Sequence, residues 1–216
     1  MHYGAARENC IKYPFSSLDA EDILRTPVSR EEKHALRREL GMDCDSMILA
    51  IGQFIPRKGF DILMQATAKM KRKADIFIVG GEPTEEYLKL RSDFGLSNVH
   101  FVGFMKKEKL AHVYRAADLF VLPTREDIWG LVINEAMAYA LPVITTDRCV
   151  AGLELVRQGI DGYIVPVEDA ELLAEKMDAV LAGPMDAMGA AALERIRSYT
   201  IENMARVHAQ VFEDRS

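Results

Sequence analysis

Cysteine is scarce in this chain: three residues (Cys10, Cys44 and Cys149), far apart and with no C-x-x-C pair. That excludes a disulfide framework and fits buried or free thiols in a reducing compartment. Long apolar runs are also missing. The longest, 136–144, has nine residues and contains Pro142, whereas a membrane span needs roughly 20. The opening MHYGAARENC lacks the basic-then-apolar design of a secretory leader. A cytoplasmic protein is the expectation. Excess positive charge is absent too: 27 Lys+Arg against 33 Asp+Glu give −6. The chain as a whole therefore has no attraction for nucleic acid, and no nucleic-acid partner is expected. The sequence holds neither G-x-x-x-x-G-K-[ST] nor a G-x-G-x-x-G after a strand, which weakens P-loop and dinucleotide-dehydrogenase readings. There is no internal repeat and no low-complexity tract. The five histidines (2, 34, 100, 112 and 208) show no paired spacing, and His100 and His112 read as surface residues.

What is present is an ordinary globular composition, 49% hydrophobic and 28% charged over 216 residues. This suits one large domain or two small ones with a proper core. It is too short for an enzyme made of two halves of about 150–200 residues each.

From residue 46 onward, short apolar runs alternate with helix-length segments. Strands are expected at 47–51 (MILAI), 76–79, 99–102, 119–122, 142–145 and 163–165. Helices are expected between them at 60–70, 85–94, 107–116, 131–140 and 153–158, followed by three more at 170–182, 187–197 and 201–212. Continuous apolar strands separated by helices imply a parallel sheet covered on both faces. Crossovers of this length are right-handed, so the expected fold is a doubly wound, Rossmann-like α/β sheet of six strands. Before residue 46 the pattern changes. Residues 11–15 read as a strand, the following stretch as a connector, and 30–40 as a helix. Ser29-Arg-Glu-Glu32 forms a capping box for that helix and Gly41 its stop.

In such folds ligands bind at the carboxyl ends of strands. The loop after the first strand, GQFIPRKGF, sets Arg57 and Lys58 ahead of a helix N-terminus. They read either as phosphate-binding cations or as solvated turn residues. The segment 123–145, PTREDIWGLVINEAMAYALPVIT, places Gly130 before a helix that is apolar nearly all round and must be buried. Its polar residues, Asn134 and Glu135, lie near its start. Glu135 reads either as a carboxylate awaiting the hydroxyls of a sugar or ribose, or as a complement to the helix dipole. Glu126 and Asp127 flank the same helix mouth, with Trp129 read as packing in preference to sugar stacking. The one D-x-D, Asp43-Cys-Asp45, precedes the first strand and reads as a solvated turn.

With these residues in view, the chain resembles the C-terminal, donor-binding domain of family 4 retaining glycosyltransferases, which have the GT-B fold. The matching pieces are GQFIPRKGFDILMQA, IVGGEP, VHFVGF, ADLFVLPTREDIWGLVINEAMAYALPVITTD and LVRQGIDGYIVPVED, in family order over about 46–170. The resemblance implies a donor UDP-, GDP- or ADP-sugar, an acceptor hydroxyl and no metal. Lys58 would contact the diphosphate, the backbone around Gly130, Leu131 and Val132 would receive phosphate, and Glu135 would hold the ribose. Asp127, or its neighbour Glu126, would be the first acid beside the sugar. Gly52, Gln53 and Arg57 would line the phosphates, Gln53 standing where the family usually has arginine. Gly103 and Phe104 would lie beside the base.

The same resemblance implies that 1–45 is the end of a preceding domain with its linker and leading helix. Residues 46–200 would be the donor domain, and 201–216 a helix leaning on the preceding domain, its uncovered stripe able to drive dimers of this fragment. Alone, the chain is expected to turn over nothing; the full-length protein would act in the cytoplasm, peripheral at the inner membrane face. A stand-alone binding module and a GT-B epimerase or phosphorylase are the alternatives.

Overall fold

The computed structural model describes residues 10–213. Six strands, β1 (Met47–Ile51), β2 (Asp75–Val79), β3 (Val99–Val102), β4 (Leu119–Leu122), β5 (Val143–Thr146) and β6 (Gly162–Val165), form one sheet in the order β3-β2-β1-β4-β5-β6. Every pairing is parallel, for example Ile48 with Ile76 and with Leu119. This is the doubly wound arrangement expected from the apolar runs. In β1 all five residues are buried, with Met47, Leu49 and Ile51 facing one core and Ile48 and Ala50 the other.

The first core is covered by α1 (Arg30–Leu40), α4 (Lys107–Ala116), α5 (Leu131–Ala138), α6 (Val150–Leu155) and α8 (Met185–Ile196). On the other side lie α2 (Phe60–Thr67), α3 (Glu85–Asp93) and α7 (Ala170–Ala182). The last helix, α9 (Ile201–Glu213), has no buried residue; Met204, Val207 and Val211 are half-buried and Phe212 is exposed. No helix among the described residues is long and apolar enough to cross a membrane.

Helix α1 starts and stops where its caps dictate. The Ser29 hydroxyl accepts the Glu32 N–H at 3.2 Å, and Gly41 ends the helix in the left-handed conformation. The reciprocal half of the capping box is not made, because the Glu32 carboxylate pairs with Arg115 of α4. Arg37 fixes α1 to the sheet. It is 1% exposed, donates to the carbonyls of Ala116, Cys44 and Asp45, and reaches Asp118 Oδ2 at 2.5 Å.

Three expectations are corrected. Residues 11–15 form no strand; the segment runs as a strap over α5 and α9. The Phe15 carbonyl accepts from Asn134 Nδ2, and the chain that follows continues the strap, with the Leu18 carbonyl accepting the Ile201 N–H and the Leu24 N–H donating to Ala138 O. Helix α6 begins three residues earlier than expected, since the Val150 and Ala151 N–H groups are drawn to the carbonyls of Asp127 and Trp129. His100 is half-buried, stacked on Phe77 at 4.5 Å with its Nε2 2.7 Å from Asp75. The expectation for residues 1–9 lies outside the described residues.

Candidate functional site

The sheet winds outward in both directions from the β1/β4 pair, so a crevice opens between their carboxyl ends. Two loops line it, 52–59 after β1 and 123–130 after β4, and they are stitched together. Arg125 N–H and the Thr124 hydroxyl both donate to Arg57 O, at 2.8 and 2.9 Å, and Arg57 donates to Glu126 O at 2.9 Å. Gly59 permits the approach: at φ 68 its missing Cβ would lie 2.0 Å from Pro123 O.

The stitching brings Lys58 Nζ to 2.6 Å from Asp127 Oδ2, with both side chains 14% exposed. Arg57, 46% exposed, stands 3.6 Å from the same oxygen. The Lys58 stem crosses Gly52, 3.3 Å from where a Cβ would be. Of the two adjacent acids, Asp127 joins this cluster, whereas Glu126 is exposed and contributes its carbonyl.

Immediately beyond Asp127 is the mouth of α5. Gly130 occupies the N-cap with φ 101, no side chain caps it, and the first turn holds no acid. The first-turn N–H groups of Leu131 and Val132 and the positive end of the helix dipole therefore face the crevice without an internal carboxylate. Cys149 lies under the mouth, donating to Trp129 O at 3.2 Å; a Cβ at Gly130 would meet its sulfur at 2.8 Å. Trp129 is a packing residue, edge-on to Phe15 and donating to Asn134 Oδ1 at 2.8 Å.

Glu135 is about 6 Å further along the helix axis and faces a different space. It lines a cavity of about 330 Å³ between α4, α5 and the strap, with Ser17, Asp22, Lys107, Tyr114 and Tyr139 among the walls. The Tyr114 hydroxyl donates to Glu135 Oε2 at 2.7 Å. Burial raises the Glu135 pKa above its ordinary value, opposed by the Tyr114 hydrogen bond and the Lys107 charge. Lys107 in turn pairs with Asp22 at 2.8 Å. The cavity thus holds a carboxylate under pressure to gain donors.

The remaining expected residues lie around this edge. Gln53 is exposed on the β1 loop. Gly103 is open, and Phe104, 83% exposed, lines a shallow depression with Met105 and Lys106. Sequence reasoning missed Tyr114, Lys107, Arg125 and Cys149. For Tyr114 a signal existed, a tyrosine on the buried side of α4; Arg125 looked like any loop arginine.

The protein is Rossmann-like α/β with the mouth of α5 at the switch point of its sheet, and the fold matches GT-B glycosyltransferase structures. The chain belongs to the family described as glycosyl transferases group 1, whose model matches residues 45–183. A D-inositol 3-phosphate glycosyltransferase of Frankia alni is 33% identical over 164 residues, 68% of this chain and 40% of that protein. The chain thus spans less than half the length of the curated relatives it matches. The structure of Anabaena HepE in complex with UDP superposes with a TM-score of 0.79 at 21% identity, over 91% of this chain and 56% of that one. The C-terminal domain of a glycosyl transferase group 1 family protein (LpcC) of Francisella tularensis gives 0.74 at 20% identity, covering 86% of this chain and 100% of that one. These two likenesses are of fold.

Proposed function

We propose that the chain is the donor-binding, C-terminal half of a family 4 retaining glycosyltransferase that takes a sugar from a nucleoside diphosphate without a metal. The observation that carries this reading is the Lys58–Asp127 pair beside the uncapped mouth of α5. A partly buried ammonium and free helix N–H groups are what a diphosphate needs. In this reading the phosphates meet Lys58, Arg57, Gly52, Gln53 and the backbone at Gly130, Leu131 and Val132. Glu135 accepts the ribose hydroxyls, in keeping with its raised pKa, while Gly103 and Phe104 border the base and Asp127 touches the sugar.

UDP is the favoured nucleotide among UDP, GDP and ADP, since HepE was solved with UDP. The half-length match to relatives and the full coverage of the LpcC C-terminal domain support a missing partner domain that brings the acceptor. A cytoplasmic setting accords with Cys44 and Cys149, neither of which is in a disulfide.

In the transfer step, the acceptor oxygen bonds to the anomeric carbon on the face from which the phosphate leaves. The carbon–phosphate oxygen bond breaks, and the departing phosphate takes the acceptor proton. Lys58 and the α5 mouth hold the charge that develops on the leaving group. Calorimetry with UDP, GDP and ADP tests the reading: at least one should bind, and Lys58→Ala should weaken that binding about tenfold or more, about 1.4 kcal/mol. Binding unchanged in both Lys58→Ala and Glu135→Ala would remove the site assignment.

A further inference from the structure

Arg125 saturates its guanidinium. Its five N–H donors meet five oxygens: Nε pairs with Glu168 Oε1, and one terminal nitrogen bonds Pro56 O and Asp61 Oδ1 at 2.9 Å. The other terminal nitrogen bonds Asp61 Oδ2 at 2.6 Å and Glu168 Oε2 at 3.2 Å. Both carboxylates are thus gripped in forks, a geometry that an ammonium cannot reproduce.

The grip brackets the residue at the centre of the candidate site. Pro56 and Asp61 lie on either side of Lys58 in the chain, so one side chain clamps both ends of the segment that presents the Lys58 amine. Arg125 itself sits two residues before Asp127, the partner of that amine. The third loop in the grip, after β6, contains Glu168 at φ 67, an uncommon left-handed conformation for a residue with a side chain. Such strain persists when surrounding contacts over-determine it, and it concentrates at functional sites. The side chains of Arg125, Asp61 and Glu168 are 29%, 31% and 51% exposed, so the network lies at the partly solvated rim of the site. A network with a strained member and a saturated donor set, closed around the segment that carries Lys58, orients that segment.

We propose that Arg125 is a positioning residue: it locks the loops after β1, β4 and β6 into one frame that aims Lys58 at the diphosphate. The proposal rests on the donor-site reading above. It gives Arg125 no contact with substrate.

The test uses the full chain and whichever of UDP, GDP or ADP the wild type binds most tightly. Calorimetry and urea unfolding are run on wild type, Arg125→Gln, Arg125→Lys, Lys58→Ala and Lys58→Ala/Arg125→Gln. Arg125→Gln should remain folded at the titration temperature and bind about tenfold more weakly, and Arg125→Lys should fail to restore affinity. In the Lys58→Ala background Arg125→Gln should cost no further affinity, because its effect passes through Lys58. Three results overturn the proposal: wild-type affinity in Arg125→Gln, restoration by lysine, or a loss repeated in full without Lys58. Absence of binding by the wild type overturns the donor-site reading, and this inference with it, so the two failures are told apart by the first titration.

Discussion

Lys58 Nζ and Asp127 Oδ2 lie 2.6 Å apart although they are 69 positions apart in the chain. Each neutralises the other, so an arriving diphosphate must compete with Asp127 for the ammonium. Asp127→Asn removes the competitor while preserving shape. We expect UDP affinity to rise several-fold and to become more sensitive to salt, because Lys58 then acts as an unpaired cation. Calorimetry at low and high ionic strength measures both; equal or weaker binding would mean that the pair does not sit on the phosphate path.

Burial of the Glu135 carboxylate works against native stability at neutral pH. Its pKa is raised by burial from an ordinary 4.5. Between 4.5 and the folded-state value the native protein holds a proton that the unfolded chain has released. Native stability therefore falls as pH rises through that window, and the cost is complete above it. Glu135→Gln, which carries no charge, should be more stable than wild type at pH 7, with the advantage vanishing as pH drops below 4.5. Its nucleotide affinity should fall, since an amide accepts fewer hydroxyl hydrogens. Thermal unfolding across pH, paired with titration at pH 7, checks both directions.

Gly130 is constrained twice, by φ 101 and by the Cys149 sulfur 2.8 Å from a would-be Cβ. Gly130→Ala should destabilise the fold by about 1–3 kcal/mol through the backbone alone and weaken UDP binding by shifting the α5 mouth. Adding Cys149→Ala should recover part of the stability, the steric part, and leave the remainder. Full recovery in the double variant would show that the backbone conformation is not strained. Urea denaturation provides the values.

Arg37 ties α1 to the sheet from a buried position, pairing with Asp118 Oδ2 at 2.5 Å. Arg37→Ala would leave Asp118, 12% exposed, with Lys33 at 3.4 Å as its remaining cation. Breaking a buried pair from one side costs about 3–5 kcal/mol, and we expect a loss of that size in urea unfolding. A change below about 1 kcal/mol would show that α1 docks by apolar contacts instead.

The sheet was legible because its central strands are buried on both faces and so read as unbroken apolar runs such as MILAI. Helix α1 was legible from Ser29 and Gly41, whose caps are local. Glu135 stood out as a carboxylate in an otherwise apolar helix. The strap at 11–15 was misread because its apolar residues suit a strand, while the atom that claims its Phe15 carbonyl, Asn134 Nδ2, lies far away in sequence. The Arg125 frame was invisible for the same reason: its partners come from two distant segments, Pro56 and Asp61 around the start of α2 and Glu168 after β6, which only the folded sheet edge brings together.

The central claim is that this carboxyl edge binds a nucleoside diphosphate through Lys58. The most direct measurement is calorimetric titration of the chain with UDP, GDP and ADP, repeated with Lys58→Ala. We expect saturable binding of at least one nucleotide, UDP foremost, and a loss of about tenfold or more in the variant. No heat of binding for any of the three at millimolar concentration, or equal affinity in wild type and Lys58→Ala, would contradict it.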